Sequence, residues 1–174
     1  AVAAKTQTHL STAGEVADLH VFDGAGRFTR IDHPDVYDIE YGYSGNTVTV
    51  TDENLDDTTL NYEAFGDPAD RRLVSVVDAD GKTWTYGYHS TYGLLSAITA
   101  PTGFSGANRS FTYTTNRFLD IETHPETGAI DHTSSAAGDR VSTTKGSVAV
   151  DYRYDGPGRL WTINAPAGTQ DVEF

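Results

Sequence analysis

The sequence contains no cysteine and no methionine, few basic residues and no long hydrophobic run. Without cysteine there are no disulfide bonds, no thiolate metal sites and no cysteine nucleophile. Lys and Arg number 12 against 25 Asp and Glu, a formal net charge of −13. That charge argues against nucleic acid or an anionic membrane surface as a main partner, because phosphate binding needs clustered cations. No apolar segment approaches the roughly 20 residues that span a bilayer, so membrane insertion is not expected.

What the sequence does contain is typical of an all-β protein. Aromatic residues make up 11% of the chain, ten of them Tyr, and such side chains fit the half-buried surface of a sheet. Residues 47–51 and 147–154 alternate strictly between polar and apolar positions. Short runs of this kind, separated by Gly, Pro, Asn and Asp at intervals of about 8–12 residues, predict a many-stranded antiparallel sheet.

An internal repeat organises the chain. Two segments near its ends share an aromatic-Asp-x-x-Gly-Arg motif followed by an apolar strand. Their motif residues are Phe22, Asp23, Gly26, Arg27 and Ile31 in the first segment, and Tyr154, Asp155, Gly158, Arg159, Leu160 and Ile163 in the second. Weaker copies are centred on Asn46, Arg72, Leu94, Arg117 and Arg140. The anchors recur with a period of about 22 residues, which indicates a repeat architecture.

A second strand in each period carries two aromatic residues separated by one position. The pairs are Tyr41 and Tyr43, Tyr86 and Tyr88, Phe111 and Tyr113, and Tyr152 and Tyr154. Residues i and i+2 of a strand share one face, so stacked repeats are expected to align these rings in a ladder across strands. The repeating unit is interpreted as a β-hairpin, and the chain as about seven of them.

These motifs resemble the YD repeat, also called the RHS repeat, over residues 14–174. The resemblance implies an all-β chain whose hairpins form a continuous antiparallel, twisted or spiralling sheet. Such ribbons form the hollow shells of polymorphic toxins, toxin-complex capsules and teneurin-like barrels, and the repeat itself is not an enzyme. The repeated arginines are interpreted as structural, their stems lying along the sheet while the guanidinium groups pair with carboxylates or turn carbonyls.

The sequence predicts one repeat domain over residues 21–174, preceded by a segment, residues 1–20, that can dock or be donated as a strand. The chain begins and stops within a repeat, which predicts a homo-oligomer held by open strand edges. Deleting residues 1–18 is then expected to abolish assembly. The opening Ala-Val-Ala-Ala, without Met, suits a processed end and predicts secretion to the extracellular space or cell surface.

No enzymatic activity is expected, and no catalytic or cofactor-binding residue is assigned. The six His show no metal-ligand spacing, and no Gly-x-Ser-x-Gly nucleophile motif is present. The segments Asp52-x-Asn54 and Asp78-x-Asp80-Gly81 resemble the beginnings of calcium loops. Neither has the glutamate at position 12 of an EF-hand, so calcium is a weak alternative to ordinary turn chemistry.

Three functional hypotheses remain. The first is a non-enzymatic structural protein, a wall segment or subunit of an extracellular filament, tube or shell built by edge-to-edge strand pairing. The second is an adhesion or carbohydrate-binding module that presents exposed Tyr and Trp to a glycan or cell-surface partner. The third is an excised piece of a toxin-encapsulating shell. Exposed, coplanar rings with flanking carboxylates would favour binding, whereas rings buried in ladders would favour structure.

Overall fold

A computed structural model describes residues 5–10, 16–32, 38–64, 70–166 and 171–174. Two compact units divide the chain, residues 1–85 and residues 86–174. Apart from one short 3-10 turn, Ser105–Ala107, the described secondary structure is β-strand. Within these residues no helix is both long and apolar enough to cross a membrane.

The first unit contains seven strands and the start of an eighth. They are β1 (Lys5–Leu10), β2 (Val16–Phe22), β3 (Phe28–Asp32), β4 (Asp38–Ser44), β5 (Thr47–Thr51), β6 (Asp57–Ala64), β7 (Arg71–Val77) and β8 (Thr83–Tyr88). The boundary between the units falls within β8.

The second unit continues from the end of β8. Its strands are β9 (Leu95–Thr99), β10 (Arg109–Tyr113), β11 (Leu119–His124), β12 (Gly128–Ser134), β13 (Arg140–Lys145), β14 (Val148–Tyr154), β15 (Leu160–Asn164) and β16 (Val172–Glu173).

Within each unit, the described strands follow one another in the sheet in the order in which they occur in the sequence. Each registered pair is antiparallel, as consecutive hairpins require, for example β4 with β5 and β14 with β15. The predicted all-β class, an antiparallel sheet of successive hairpins, is therefore confirmed.

Side-chain alternation follows the predicted pattern in the central hairpin of the first unit. Tyr41 lies opposite Val50 and Tyr43 opposite Val48, while the intervening Gly42 lies opposite Thr49. Both tyrosines are half-buried and Gly42 is exposed. The period of two thus gives the sheet one face of rings and β-branched side chains and one face of small polar groups.

Few side chains are deeply buried. Ala100 is 8% exposed, and the polar side chains of His132 and Thr162 are 7% and 6% exposed, while no described side chain falls below 2%. Most apolar residues of the strands are half-buried. Cross-strand contacts and backbone hydrogen bonds, rather than a closed interior, therefore stabilise the described strands.

The predicted N-terminal segment, residues 1–20, lies partly outside the described residues. Within it β1 pairs with β2 of the same chain, with Lys5 opposite Phe22 and Leu10 opposite Val16. Docking or donation of this segment, and the domain boundary at residue 21, stay predictions.

Candidate functional site

The first repeat motif forms a five-residue loop between β2 and β3. The amide of Asp23 donates to the carbonyl oxygen of Arg27 at 2.8 Å, and the amide of Gly26 donates to the carbonyl oxygen of Asp23 at 3.0 Å. Gly26 has a φ of 80°, a region that is unfavourable for residues with a β-carbon. Oδ1 of Asp23 accepts from the amides of Ala25 and Arg27, each at 2.9 Å. The aspartate thus satisfies the donors of its own loop.

The arginine of this motif completes the loop. Nε of Arg27 donates to Oδ2 of Asp23 at 2.7 Å, and its guanidinium carbon lies 4.5 Å from the centre of the Tyr43 ring. The backbone amide of Arg27, followed by its side chain, lowers the pKa of the Asp23 carboxyl. The Arg27 side chain is 55% exposed, so water screens the ion pair, and its main effect is to position the guanidinium.

The last motif repeats this geometry between β14 and β15. The amide of Asp155 donates to the carbonyl oxygen of Arg159 at 2.9 Å, and the amide of Gly158 donates to that of Asp155 at 2.9 Å. Gly158 has a φ of 85°. The backbone amide and Nε of Arg159 donate to the two oxygens of Asp155 at 2.8 and 2.9 Å. Both motifs therefore encode one loop, a tight turn followed by a left-handed residue.

Four further loops have the same backbone hydrogen bonds without the full sequence motif. Their first residues are Asp52, Asp78, Thr114 and Ser135, and a side-chain oxygen of each accepts from backbone amides of the same loop. Their fourth residues, at positive φ, are Leu55, Gly81, Arg117 and Gly138. The loop therefore requires an oxygen acceptor at its first position and a left-handed fourth residue, whereas the following arginine is dispensable.

The structure places the other predicted anchor arginines differently. Arg117, with a φ of 67°, occupies the glycine position of its loop, and Phe118 takes the position of the motif arginine. Arg72 lies within β7 and pairs with the Asp70 carboxylate. Arg140 follows its loop and contacts a ring nitrogen of His132. Sequence spacing alone did not separate these positions, because the loop is defined by backbone geometry.

A histidine closes a longer loop between β8 and β9. The amide of His89 donates to the carbonyl oxygen of Leu94 at 2.8 Å. Its Nδ1 accepts from the amides of Thr91 and Tyr92 at 3.2 and 3.3 Å. The imidazole also stacks on the Tyr92 ring with centroids 4.3 Å apart. His89 therefore serves as the acceptor that aspartate supplies elsewhere, a role that the sequence did not reveal.

Two tyrosines of the aromatic pairs are tied to the backbone of preceding strands. The hydroxyl of Tyr43 donates to the carbonyl oxygen of Phe28 at 2.7 Å, and that of Tyr113 to Leu95 at 2.6 Å. Phe28 and Leu95 each begin the strand that follows a loop. Burial raises the pKa of the Tyr113 hydroxyl above its usual value. These hydroxyls therefore fasten the second strand of one hairpin to its predecessor.

Rings pack edge to face around Phe28 in the first unit. The Phe28 ring lies 5.2 Å from those of Phe22 and Tyr41 and 5.1 Å from that of His20. The interplanar angles are between 65° and 90°, which is the favoured geometry for aromatic pairs. The rings are thus packed against each other across neighbouring strands.

The remaining motif residues also lie on strands. Tyr86, Tyr88, Tyr152 and Tyr154 are half-buried, as are Ile31, Leu160 and Ile163. Tyr152 lies opposite Ile163 and Tyr154 opposite Leu160, with a bulge between the two pairs. These positions share cross-strand packing rather than a common cavity.

A polar cluster links three strands of the second unit. Oε1 of Glu122 lies 3.2 Å from Nε2 of His132, and Oε2 lies 3.3 Å from Nε2 of His124. Nδ1 of His132 faces Arg140 and lies 3.3 Å from the Thr143 hydroxyl. The hydrogen bond with His124, then that with His132, lowers the pKa of the Glu122 carboxyl. The sequence did not single out this cluster, because its residues come from β11, β12 and β13.

The two calcium-like segments form hairpin loops of the shared type. Oδ1 of Asp52 accepts from the amides of Asn54 and Asp56 at 2.8 and 3.0 Å, and Oδ1 of Asp78 accepts from the amide of Lys82 at 2.8 Å. Nζ of Lys82 lies 2.8 Å from the Asp80 carboxylate. In the part of the chain that the structure describes, no group of three carboxylate or histidine side chains is arranged to hold a metal ion.

The fold and the loop-and-ring motif define a protein of repeated β-hairpins. Residues 66–105 match the family model described as RHS Repeat, which confirms the resemblance found in the sequence. The crystal structure of TcdB2-TccC3 is similar to this chain with a TM-score of 0.69, 14% identity, and coverage of 96% of this chain and 11% of that chain.

Two further solved structures are weaker matches. The crystal structure of TcdB2-TccC3-TEV has a TM-score of 0.49 and 13% identity, covering 95% of this chain and 12% of that chain. The Tc holotoxin pore of Photorhabdus luminescens has a TM-score of 0.47 and 15% identity, covering 95% and 11%. No curated protein sequence matches this chain.

The match to TcdB2-TccC3 shows a shared fold, and this chain spans about a tenth of that chain's length.

Proposed function

We propose that this chain is a non-enzymatic wall segment of an extracellular β-sheet assembly, a shell, tube or filament, in which adjacent segments join by edge-to-edge strand pairing. The observation that carries the proposal is that tyrosines of the aromatic pairs are hydrogen-bonded to the backbone of neighbouring strands. Tyr43 and Tyr113 donate their hydroxyls to strand backbones at 2.7 and 2.6 Å. A hydroxyl already bonded within the repeat contributes to the wall and does not donate to a ligand.

The hairpin loops support the same function. The first side chain of each five-residue loop accepts hydrogen bonds from its own loop, as Asp23, Asp155 and Ser135 do. Such loops terminate each hairpin without a partner, so the same unit can be added many times. A sheet of this kind suits a wall that extends by repetition.

The RHS match, whose repeats imply hollow shells, and the shared fold together support a shell as the form of the assembly. This chain is then one part of an enclosing wall, and secretion follows from that role. A segment of a toxin-encapsulating shell is the version of the proposal that this likeness favours over a filament.

Strand pairing at β16 supports the mode of assembly. This strand pairs with β15 through Thr162 and Ile163, and its Val172 side chain is 47% exposed. Among the described residues β15 is the strand that pairs with β16, and we propose that a strand of another copy covers the backbone groups on the other side of β16 together with this apolar side chain.

Carbohydrate binding is the second candidate, and one observation favours it. The Trp161 side chain is 51% exposed, and an accessible indole can stack on a sugar ring. The other tryptophan, Trp84, is half-buried opposite Val76, which leaves Trp161 as the ring to test.

Two variants separate the wall from the binding module. Tyr113→Phe should lower the free energy of unfolding by about 1 kcal/mol, the usual net value of one hydrogen bond, and Trp161→Ala should change it little. Neither the unsubstituted chain nor either variant should be retained on an array of neutral glycans. Retention that Trp161→Ala abolishes at unchanged stability would instead establish the binding module.

Assembly is tested by light scattering and electron microscopy at high concentration. Val172→Lys should reduce the assembled fraction, because a charge on the outer strand opposes pairing. Val148→Lys is the matched control, since Val148 is 51% exposed on a strand paired on both sides. A monomer at every concentration, or an equal effect of both substitutions, would contradict edge pairing.

A further inference from the structure

A small cavity opens in the first unit, at the end of the sheet where the loops connect the strands. Its volume is about 240 Å³, and its lining includes Arg27, Tyr43, Asn46, Tyr62 and Arg71. In a sheet of consecutive antiparallel strands, every second connection lies at the same end of the strands. That arrangement brings the end of the β2–β3 loop, the β4–β5 turn and the start of β7 together.

Two guanidinium groups flank this cavity in a chain of strongly negative net charge. Arg27 is held by Nε at 2.7 Å from Asp23, with its guanidinium over the Tyr43 ring at 4.5 Å. Arg71 is exposed, and its Nη1 donates to the Gly45 carbonyl oxygen at 3.4 Å. Within the described residues Arg71 forms no ion pair. Arg27 is therefore held in place, and the guanidinium group of Arg71 remains available to bind an anion.

Tyrosine rings supply the rest of the lining. Tyr43 is fixed by its hydroxyl bond to Phe28. The amide of Tyr62 donates to the carbonyl oxygen of Asn46 at 2.9 Å, next to the bulge at Asn61 and Tyr62. Ring faces beside a cationic group offer contact to a flat or apolar body, while the guanidinium fork matches a carboxylate.

We propose that this cavity binds a small monocarboxylate, the size of one acidic residue or one sugar acid. The volume of about 240 Å³ admits a single group of that size. The tyrosine rings can contact the carbon body of such a ligand, which inorganic phosphate lacks, so the site favours a carboxylate. Failure of this proposal would leave the proposed wall function untouched.

Titration of the ¹⁵N-labelled 174-residue chain, followed by NMR, tests the site and its source of carboxylate. The probes are glucuronate for a sugar acid, N-acetylglutamate α-amide for an acidic peptide residue, and glucose and inorganic phosphate for comparison. Either carboxylate should shift the amide signals of Gly45, Asn46 and Thr47 with saturation, and the tighter one identifies the source. No saturation by about 50 mM, an affinity too weak to be specific, or equal shifts with glucose or phosphate, would overturn the proposal.

Two matched substitutions locate the effect. Arg71→Gln should weaken binding about tenfold, as expected for loss of a charged hydrogen-bond donor. Arg159→Gln removes an arginine that forms the same clasp with its aspartate as Arg27 does but does not line the cavity, and it should leave binding unchanged. An unchanged spectrum away from the site verifies folding of both variants. Equal loss in the two variants, or no loss in Arg71→Gln, would overturn the assignment.

Discussion

The hydroxyl of Tyr43 donates to the carbonyl oxygen of Phe28 across 2.7 Å, although 15 residues separate them in the chain. Tyr113 repeats the relation with Leu95 at 2.6 Å and a separation of 18 residues. In each case the ring spans from the second strand of a hairpin to the first residue after a loop. One side chain thus couples the loop, the preceding strand and the ring face of the sheet.

Tyr43→Phe tests this coupling in the first unit. The substitution removes one hydrogen bond and keeps the ring, so we expect a loss of about 1 kcal/mol in the free energy of unfolding. Chemical denaturation measures the loss. Tyr41→Phe is the control, because the Tyr41 ring packs edge to face against Phe28 and its ring is retained. An equal loss in both variants would contradict a special role for the Tyr43 hydroxyl.

Substitutions at the fourth position of the five-residue loops should change the free energy of unfolding in opposite directions. Leu55 has a φ of 66° and its side chain is 83% exposed, so Leu55→Gly removes strain without loss of packing. We expect it to raise the free energy of unfolding by about 1 kcal/mol. Gly81 has a φ of 76° in the equivalent loop, and Gly81→Leu should lower stability by about 1–2 kcal/mol. Thermal unfolding of both variants checks the signs, and two changes of the same sign would contradict this account of the loop.

A third position in this series adds a steric contact to the backbone strain. A β-carbon at Gly138 would lie 3.0 Å from Cε1 of Phe118, whereas one at Gly81 would meet nothing within 4 Å. Gly138→Ala should therefore cost about 1 kcal/mol more than Gly81→Ala, because the ring must move. The difference is measured by denaturation of the two variants side by side. In the Phe118→Leu background the excess cost should fall, since the contact is then removed.

Much of the fold could be predicted from the sequence, because the alternation predicted over residues 147–154 recurs in the burial of β14, where Val150, Tyr152 and Tyr154 are half-buried and the residues between them are exposed. The loops could be predicted only in part. Asp23 and Asp155 were found because an arginine ends each of their loops, whereas Thr114 and Ser135 supply the same acceptor oxygen without that arginine. For residues 1–20 the sequence predicted a segment that can dock or be donated as a strand, and within it β1 pairs with β2 of the same chain.

The candidate site was less accessible to prediction. The carboxylate and imidazoles around Glu122 come from separate strands, and only the register of β11 with β12 brings His132 to within 3.2 Å. The cavity at Arg27 and Arg71 likewise depends on which connections lie at the same end of the strands. Long-range register of this kind is set by the whole sheet, so a local motif does not encode it.

Ile98→Ala measures how much the packing of one strand side chain contributes to the free energy of unfolding. For a fully buried position the expected cost is about 2–5 kcal/mol. Ile98 is half-buried and lies opposite Arg109, so we expect about 1–2 kcal/mol, in proportion to the area removed from water. Val148→Ala, at a side chain that is 51% exposed, should cost less. A loss below about half a kcal/mol for Ile98→Ala would mean that its side chain contributes no packing.

The last prediction concerns the pH dependence that Glu122 confers. Hydrogen bonding to His124, and then to His132, lowers the pKa of Glu122 from its usual 4.5. A carboxyl whose pKa is lower in the folded state stabilises the fold above its unfolded pKa and loses that contribution as the pH falls through the folded value. The difference in unfolding free energy between the unsubstituted chain and Glu122→Gln should therefore be present at about pH 5.5 and shrink in acid below about pH 4.5. Glu126→Gln is the control, because Glu126 pairs with Arg109 at the surface with 55% of its side chain exposed, and such pairs contribute little. Denaturation curves across this pH range for both variants supply the measurement. A difference for Glu122→Gln that grows as the pH falls would refute the hydrogen bonds of the Glu122 carboxylate with the two imidazoles.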